Sequence, residues 1–360
     1  MKVAIITDTH WGARNDSLIF IDYYERFYRD IFFPCLEKER ITTVLMLGDT
    51  FDRRKYINYI TWDKAKRIYF NELSKRNIKT YIIVGNHDTA YKNTNDVNSP
   101  ELLLQEYDNI HIIDTPQTIH LDYAHTSSDV LMIPWICAEN YNQCLEEIKN
   151  SRAKVCMGHF EIDGFVMHPG AVCEGGLSPK LFTQFDTVFS GHYHHKSSNG
   201  NIHYLGNPYQ LTWQDYNDVR GFHLFDPSDR STEFIPNPNT MFHKIVYDDT
   251  VTTIEELSIK DFSDYKNTYV KVVVVNKTNP YIFDKFLSNL YLVGPADVTI
   301  VEDFTVLTEG LEDDTIDQAE DTMTIINNFV DSQSGTQIDN NRLKSLLREL
   351  YVEAQSLDQT

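Results

Sequence analysis

Over residues 1–235, short apolar runs alternate with longer amphipathic stretches, and five of the runs end beside a residue that can bind a metal. Runs of this length and composition predict buried β-strands. In chain order they are Lys2–Thr7, Thr43–Leu47, Thr80–Val84, Lys154–Met157 and Thr187–Ser190. Open α/β sheets bind ligands beyond the carboxyl ends of their strands. We therefore expect the five strand ends to converge on one site.

Helical patterns fill the segments between these strands. Leu18–Glu39 is predicted to be helical, with Pro34 kinking or ending the helix. Thr61 and Ser99 are the predicted N-caps of two later helices, because their hydroxyls can accept hydrogen bonds from a first helical turn. The remaining predicted elements are the helices Thr61–Arg76, Pro100–Tyr107 and Glu139–Asn150 and the strands Ile202–Leu205, Gly221–Phe225 and Thr232–Ile235. This alternation is typical of a layered α/β domain, which we place at residues 1–235.

The segment Pro236-Asn237-Pro238-Asn239 is predicted to separate this domain from a second one, because clustered Pro and Asn favour loops. The patterns that follow predict a small α+β domain at residues 240–303, with strands Phe242–Tyr247, Tyr269–Val275 and Asp297–Glu302 and a helix Tyr281–Leu290. An acidic linker is expected at residues 304–321. Between Phe286 and Asn341 there are twelve acidic residues and no Lys or Arg.

A helical tail is predicted at residues 322–360. Its apolar residues recur at helical spacing and form one stripe: Leu343, Leu346, Leu347, Leu350 and Tyr351. Such a stripe can dock on another protein, and we interpret it as a partner-binding segment. The alternative is that the stripe packs on its own domain.

Composition narrows the classes of function. The net charge of −21 argues against DNA binding unless the protein has local basic surfaces or a partner that assists binding. Arg53, Arg54, Lys55, Lys64, Lys66 and Arg67 form a basic cluster that is either such a surface or a solvated helix face. The five cysteines form no CxxC pair, which favours reduced thiols and a cytoplasmic location. No membrane span or signal peptide is expected.

The residues at the strand ends form a mixed oxygen and nitrogen ligand set, namely Asp8, His10, Asp49, Asn86, His159, His192 and His194. This set suffices for two ions that share a carboxylate, an arrangement that hydrolyses phosphate esters. Asp8 and His10 are two positions apart, as are His192 and His194, so each pair is expected to point to one side of a strand. The absence of thiolate ligands disfavours a structural zinc site. Manganese fits the set, while magnesium, iron and zinc stay open.

These motifs resemble those of the calcineurin-like metallophosphoesterases. The matching segments are Asp8-x-His10, Gly48-Asp49-x-x-Asp52, Gly85-Asn86-His87-Asp88, Gly158-His159 and Gly191-His192-x-His194. The resemblance implies a β-sandwich flanked by helices. It also implies one metal held by Asp8, His10, Asp49 and His194, a second held by Asp49, Asn86, His159 and His192, and a non-ligand His87 that faces the scissile phosphate.

A narrower resemblance is to the SbcD-type DNA double-strand-break repair nucleases, and within them to the recombination endonuclease subunit of tailed phages. It is carried by Asp8-Thr9-His10-Trp11-Gly12, Gly48-Asp49-Thr50-Phe51-Asp52 and Tyr204-Leu205-Gly206-Asn207-Pro208. It implies that the small domain caps the site and helps to bind DNA ends. It also implies that the helical tail binds a coiled-coil ABC-type ATPase, in a heterotetramer built on a homodimer in the host cytoplasm.

Asp52 departs from many eukaryotic and archaeal members of that family, which have a histidine there. We expect the Asp52 carboxylate to accept a hydrogen bond from His87 and orient it, as carboxylates do for functional histidines. The alternative is that Asp52 caps a turn. Arg53 could contact a phosphate, and a surface role is the alternative.

The leading functional hypothesis is a manganese-dependent DNA exo/endonuclease that acts at double-strand ends with an ATPase in recombination, repair and recombination-dependent replication. The alternative is a phosphatase or small-molecule phosphodiesterase of the same fold, because fold alone does not separate the two. A non-catalytic scaffold is disfavoured, since a scaffold has no need to keep every ligand.

Overall fold

Two six-stranded β-sheets form the centre of the structure, a computed structural model that describes residues 2–123, 126–168, 171–253, 256 and 261–302. The strands of the first sheet are, in spatial order, Ser231–Pro236, Gly221–Asp226, Val3–Ile6, Thr43–Met46, Lys79–Ile83 and Ile110–Ile113. Those of the second are Ser197–Asn199, Ile202–Tyr204, Thr187–Ser190, Val155–Gly158, Thr126–Ile133 and Gln117–Tyr123. The five strands predicted to lead into the site are therefore confirmed, three in the first sheet and two in the second.

The two sheets pack face to face, and helices cover the outer faces. Alternate residues of the first sheet, such as Ile5 and Leu45, share one buried core with Met157 and Phe189 of the second. The intervening residues of the first sheet, such as Ile6, pack instead against aromatic residues of the helices. Burial of both faces explains why these strands are continuous apolar runs rather than alternating ones. The predicted β-sandwich flanked by helices is confirmed.

The first long helical segment continues past Pro34, so Pro34 does not end it. It consists of an α-helix Leu18–Phe27, a π-helical turn Tyr28–Phe32 and an α-helix Phe33–Lys38. In the wider turn the N–H of Phe33 donates to the carbonyl of Tyr28, five residues back. Proline has no N–H, and in a helix its ring crowds the carbonyl four residues earlier. For Pro34 that carbonyl lies within the π-helical turn Tyr28–Phe32.

Both predicted helix caps are wrong, the first by three residues and the second by one. The second long segment, Tyr59–Ala65, Lys66–Phe70 and Asn71–Lys75, is capped by Asn58, whose side chain accepts a hydrogen bond from the N–H of Ile60. Thr61 is buried and donates to Asp16 Oδ1 at 2.7 Å. The helix Ser99–Leu104 is capped by Asn98 rather than Ser99. Asparagine is as good an N-cap as serine, so the local sequence did not distinguish them.

The shorter elements complete this part of the chain. The helix predicted at Glu139–Asn150 spans Tyr141–Asn150. Single 3₁₀ turns lie at Pro179–Phe182, Trp213–Asp215 and Ser263–Tyr265. Two hairpins pair Thr89–Tyr91 with Thr94–Asn98 and Val166–His168 with Ala171–Val172, and a short turn at Ala13–Asp16 contains left-handed residues.

A three-stranded sheet follows the Pro-Asn segment. It contains Phe242–Asp248, Tyr269–Asn276 and Asp297–Val301, with the helix Pro280–Leu292 packed on it. Gln210 Oε1 accepts hydrogen bonds from the N–H groups of Met241 and Phe242, at 2.8 and 3.1 Å. Residues 1–300 form one compact unit. The division into domains at 1–235 and 240–303 stays a prediction.

The acidic linker and the tail, with Leu343, Leu346, Leu347, Leu350 and Tyr351, lie outside the described residues. All five cysteines are free, as expected, and four of them are buried. Within the described ranges, no helix combines the length and apolar character needed to cross a membrane.

His223 makes the fold sensitive to acid. It lies on Gly221–Asp226 beside Phe234, and its Nδ1 has no hydrogen-bond partner among the described residues. Burial, with the nearby charges of Lys196 and His203, lowers the pKa of His223 from 6.5 to about 4. A depressed histidine pKa means that the unfolded chain takes up the proton first. Stability is therefore lost as pH falls from about 6.5 towards 4.

Between pH 6.5 and 4, the free energy of unfolding should fall by about 1–3 kcal/mol less in His223→Gln than in the wild-type chain. The magnitude follows from the free energy that corresponds to one pKa unit. Urea unfolding of metal-free protein at several pH values measures this. The exposed His120→Gln is the matched control and should follow the wild-type curve. Parallel curves for His223→Gln and wild type would contradict the assignment.

Candidate metal centre

The seven predicted ligands meet at one edge of the sandwich, where the five strands end. Three groups of side chains have ligand atoms within 4.8 Å of one another: Asp8, His10 and His194 in the first, Asp49, His159 and His192 in the second, and His10, Asp52 and His87 in the third, which shares His10 with the first. The first two groups contain the side chains that the family resemblance assigns to two metals, apart from Asn86 and a second share of Asp49. His192 and His194 therefore belong to different groups, although their spacing predicted that they would point together.

The first group is built around two facing histidine rings. His10 Nε2 and His194 Nε2 lie 3.0 Å apart. Ligand atoms on one ion, each about 2.0–2.2 Å from it, are separated by about this distance. Asp8 is held by the N–H of His192 and by the hydroxyl of Thr7, which lies 2.7 Å from Asp8 Oδ2. The geometry thus fits a divalent cation.

The second group is centred on the amide oxygen of Asn86. Asn86 Oδ1 lies 2.8 Å from His159 Nε2 and 3.0 Å from His192 Nδ1. The other ring nitrogen of His159 donates to the carbonyl of Leu47 at 2.7 Å, which leaves Nε2 directed at the site. An amide oxygen and two ring nitrogens converging in this way also fit a divalent cation.

Asp49 lies between the two groups. Its Oδ2 is 3.3 Å from His159 Nε2 and 3.8 Å from His10 Nε2, so one carboxylate oxygen reaches both. Its Oδ1 accepts a hydrogen bond from the N–H of His87 at 2.8 Å. Burial would raise the pKa of Asp49, but the charges of His159 and His87 hold it well below its usual range. The group is therefore an ionised carboxylate.

Several ligands have left-handed backbone conformations. The φ angles are 51° for Asp8, 42° for His10, 50° for Asp49 and 86° for His192. Asp8 and His10 thus converge through turns and not through the two-residue repeat of a strand, which corrects the geometric reason for expecting them together. Non-glycine residues seldom adopt these angles, and those that do are held by surrounding contacts at functional sites.

The motif glycines allow the ligand loops to touch. A Cβ on Gly191 would lie 2.1 Å from Thr7 Oγ1, and one on Gly85 would lie 2.2 Å from the backbone nitrogen of Asp49. No real Cβ tolerates such distances, so these positions require glycine. Close approach of the loops is what brings ligands from different strands within reach of one ion.

The four histidines differ in their affinity for protons. Burial lowers the pKa of each, but in two of them the surrounding carboxylates outweigh it. The pKa of His10 rises to about 9 beside Asp52 and Asp49, and that of His159 rises to about 9 beside Asp49 and Asp8. The pKa of His192 falls to about 3. The carboxylates thus favour positive charge at this edge. A bound cation would supply that charge while the histidines stay neutral.

Asp88, the last residue of the Gly85-Asn86-His87-Asp88 motif, ties two ligand loops together. Its carboxylate accepts hydrogen bonds from the N–H of Gly85 at 2.9 Å and from the N–H of Phe51 at 3.0 Å. Burial, with the charge of Asp49, raises the pKa of Asp88 to about 7. The sequence contained this residue in a motif but did not indicate its role.

Asp52 orients His87 through its backbone and not through its carboxylate. His87 Nδ1 donates to the carbonyl oxygen of Asp52 at 2.6 Å. The Asp52 carboxylate lies instead 3.3 Å from His10 Nδ1. The expected side-chain pair is therefore wrong, although the two residues do touch. His87 Nε2 does not take part in this contact, and the ring is partly exposed.

Two aromatic residues near the site have different surroundings. Trp11 is buried and stacks on Tyr28 with ring centroids 5.6 Å apart, so it packs under the first loop. The ring centroid of Trp135 lies 5.3 Å from that of His192. Sequence patterns gave no sign of this contact, because the two residues are distant in the chain.

Arg220 supports the backbone of the first group, and the sequence did not predict this role. It is 3% exposed and forms an ion pair of 2.5 Å with Asp215. It also donates to the carbonyl of His194 and to the side chain of Asn207. A buried arginine is stable only with such partners. Arg220 thus fixes the backbone of a predicted ligand.

We expect Arg220→Met to lower the free energy of unfolding by about 3–5 kcal/mol, because it leaves Asp215 buried without its cation. The matched control is Arg230→Met, which removes an exposed ion pair with Asp186 and should cost about 0–1 kcal/mol. Urea unfolding in EDTA measures both. Equal losses in the two variants would refute a supporting role for Arg220.

Comparison with known proteins agrees with this geometry. The family model for calcineurin-like phosphoesterases matches residues 1–196. The chain is 33% identical to exonuclease subunit 1 of Enterobacteria phage T4 over an alignment of 360 positions, which covers 98% of this chain and 99% of the phage protein. It is 26% identical to the DNA double-strand break repair protein Mre11 of Methanocaldococcus jannaschii, over 79% of this chain and 76% of that protein. The chain therefore belongs to the calcineurin-like phosphoesterase family and is a metal-dependent enzyme that hydrolyses phosphate esters.

Proposed function

We propose that the enzyme is a DNA exo/endonuclease that uses two divalent metal ions, most suitably Mn²⁺. The observation that carries this proposal is the position of Asp49, whose Oδ2 lies within 4 Å of a histidine nitrogen from each group. A shared carboxylate is the arrangement of two-metal phosphoesterases. Hard oxygen ligands mixed with imidazoles suit Mn²⁺, while Mg²⁺, Fe²⁺ or Zn²⁺ would also bind.

The residues would divide between the two ions as the groups do. Asp8, His10, Asp49 and His194 would hold one, and Asp49, Asn86, His159 and His192 the other. Bound ions supply a water nucleophile at neutral pH and offset negative charge on the phosphate. The left-handed turns, the hydrogen bonds to Asp8 and Asp49 and the ion pair of Arg220 hold the ligands in place before any ion binds.

His87 would act on the leaving group. Its Nδ1–H is occupied by the carbonyl of Asp52, which restricts rotation of the ring and would leave Nε2 to act on the substrate. When Nε2 is protonated, it can donate to the oxygen that departs from phosphorus. Asp52 contributes to this step as a positioning residue through its backbone, and its carboxylate acts on His10.

DNA is the substrate that the relatives favour. Their names describe an exonuclease subunit and a double-strand break repair protein, and the first of them aligns along nearly the whole chain. We extend the proposal to double-strand ends as substrates, to a coiled-coil ABC-type ATPase that binds the tail, and to a heterotetramer built on a homodimer. Recombination, repair and recombination-dependent replication in the host cytoplasm are the processes that such a complex would serve.

A nuclease assay tests the proposal. With Mn²⁺, the full chain should release nucleotides from linear end-labelled duplex DNA, and addition of the ATPase should increase the rate. EDTA should abolish cleavage, and Asp49→Asn should reduce it at least about 100-fold because the shared charge is lost. Bis(p-nitrophenyl) phosphate is the comparison substrate. Rapid hydrolysis of this small diester with intact DNA would instead support a small-molecule phosphodiesterase.

A second prediction concerns His87. His87→Ala should bind Mn²⁺ as the wild-type chain does, because His87 is not a ligand in this proposal. Its rate of DNA cleavage should fall about 10²- to 10⁴-fold, the usual contribution of a general acid. Isothermal titration calorimetry with Mn²⁺ and the nuclease assay separate the two effects. Full metal content with undiminished cleavage would rule out the role.

A further inference from the structure

Two adjacent arginines beside the metal centre have opposite surroundings. Arg53 is fully engaged, because its guanidinium lies 3.2 Å from Asp16 Oδ2 and donates to the hydroxyl of Tyr56 at 2.6 Å. It also donates to Asn15. These contacts tie the turn Ala13–Asp16 to the loop that follows Asp49. Arg53 is thus a structural connection and not a free cation.

Arg54 has no comparable partner among the described residues. Its one hydrogen bond there is from Nη1 to Thr89 Oγ1, at a long 3.4 Å, and no described carboxylate lies within 4.0 Å of it. The side chain is nevertheless partly buried. No side-chain nitrogen of Arg54 is both fully buried and without a partner, so the guanidinium keeps access to solvent and an anion can reach it. Thr89 is its one hydrogen-bond partner among the described residues, which leaves further N–H groups free to donate to such an anion.

The position of Arg54 relates it to the metal centre. Thr89 follows the Gly85-Asn86-His87-Asp88 motif, and its hydroxyl donates to the carbonyl of Asn86 at 3.2 Å. Burial lowers the pKa of Arg54, and the opposing charges that act on it are those of Asp49 and Asp88. Arg54 also lies two residues after Asp52, whose carbonyl holds His87. Its side chain therefore borders the loop that carries Asn86 and His87.

We propose that Arg54, and not Arg53, binds the phosphate group of the substrate at the metal centre. The planar guanidinium matches two non-bridging phosphate oxygens, and phosphate is the anion that its surroundings lack. The inference rests on the proposed function for its substrate and adds the residue that recognises the phosphate. Arg54 contributes binding, while His87 contributes the proton.

The test uses inorganic phosphate as the probe and the full chain loaded with Mn²⁺. In Arg54→Ala, the inhibition constant of phosphate and the KM for DNA should each rise about 10- to 100-fold, the value of charge-assisted hydrogen bonds. Arg54→Lys should lie between this variant and wild type, because lysine keeps the charge and loses the fork. Mn²⁺ affinity, measured by calorimetry, should not change.

Lys55→Ala is the matched control, since it removes an exposed positive charge from the next residue. It should leave phosphate inhibition unchanged. Arg53→Ala tests the rival residue and should lower the unfolding temperature more than Arg54→Ala does. Phosphate inhibition that is unchanged in Arg54→Ala, or lost through weaker Mn²⁺ binding, would overturn the inference. Arg54→Gln, with the same readouts, replaces Arg54→Ala if that variant does not fold.

The two proposals fail separately. A wild-type chain that binds phosphate but leaves DNA intact would refute the nuclease proposal. A wild-type chain that cleaves DNA, with Arg54→Ala equal to it in phosphate inhibition and KM, would refute only the assignment of Arg54.

Discussion

The arrangement of the site depends on one buried carboxylate, that of Asp49. An ionised carboxylate out of water is costly unless hydrogen bonds and opposite charge surround it. Here the N–H of His87 binds one oxygen, and His159 and His10 lie near the other. Because these partners come from three separate segments, Asp49 determines how the segments assemble. The same requirement for positive charge makes the cluster suited to cations.

The loops that carry the ligands are strained and closely packed. Four ligands have positive φ angles, and the motif glycines leave room for no side chain. Such conformations persist only where the surroundings hold them. The rigid sandwich supplies that support, together with the carboxylate of Asp88 and the buried ion pair of Arg220. The fold thus fixes the positions of the predicted ligands, and the strained backbone conformations lower local stability.

The acidic residues of the chain are distributed unevenly. Twelve of the 53 acidic residues lie between Phe286 and Asn341, a segment without Lys or Arg that is distant in sequence from the metal motifs. At the candidate metal centre, the carboxylates of Asp8, Asp49 and Asp88 accept hydrogen bonds. The partly buried Arg54 has no described acid within ion-pair distance. A strongly negative net charge is therefore compatible with local attraction of a phosphate ester, because charges beyond about one Debye length are screened.

The sequence by itself determined the strands, their order and the polar residues that lie together at their ends. Apolar runs that end in Asp, Asn or His are local signals, and parallel strands bring their ends to one edge. It did not determine the caps at Asn58 and Asn98, because neighbouring polar residues have similar capping strength. The contact of His87 with the Asp52 carbonyl, and the support of His194 by Arg220, were decided only by tertiary structure. In both contacts a side chain binds a backbone carbonyl of a residue far away in the chain. Because every residue has a backbone carbonyl, no sequence pattern indicates which one will be bound.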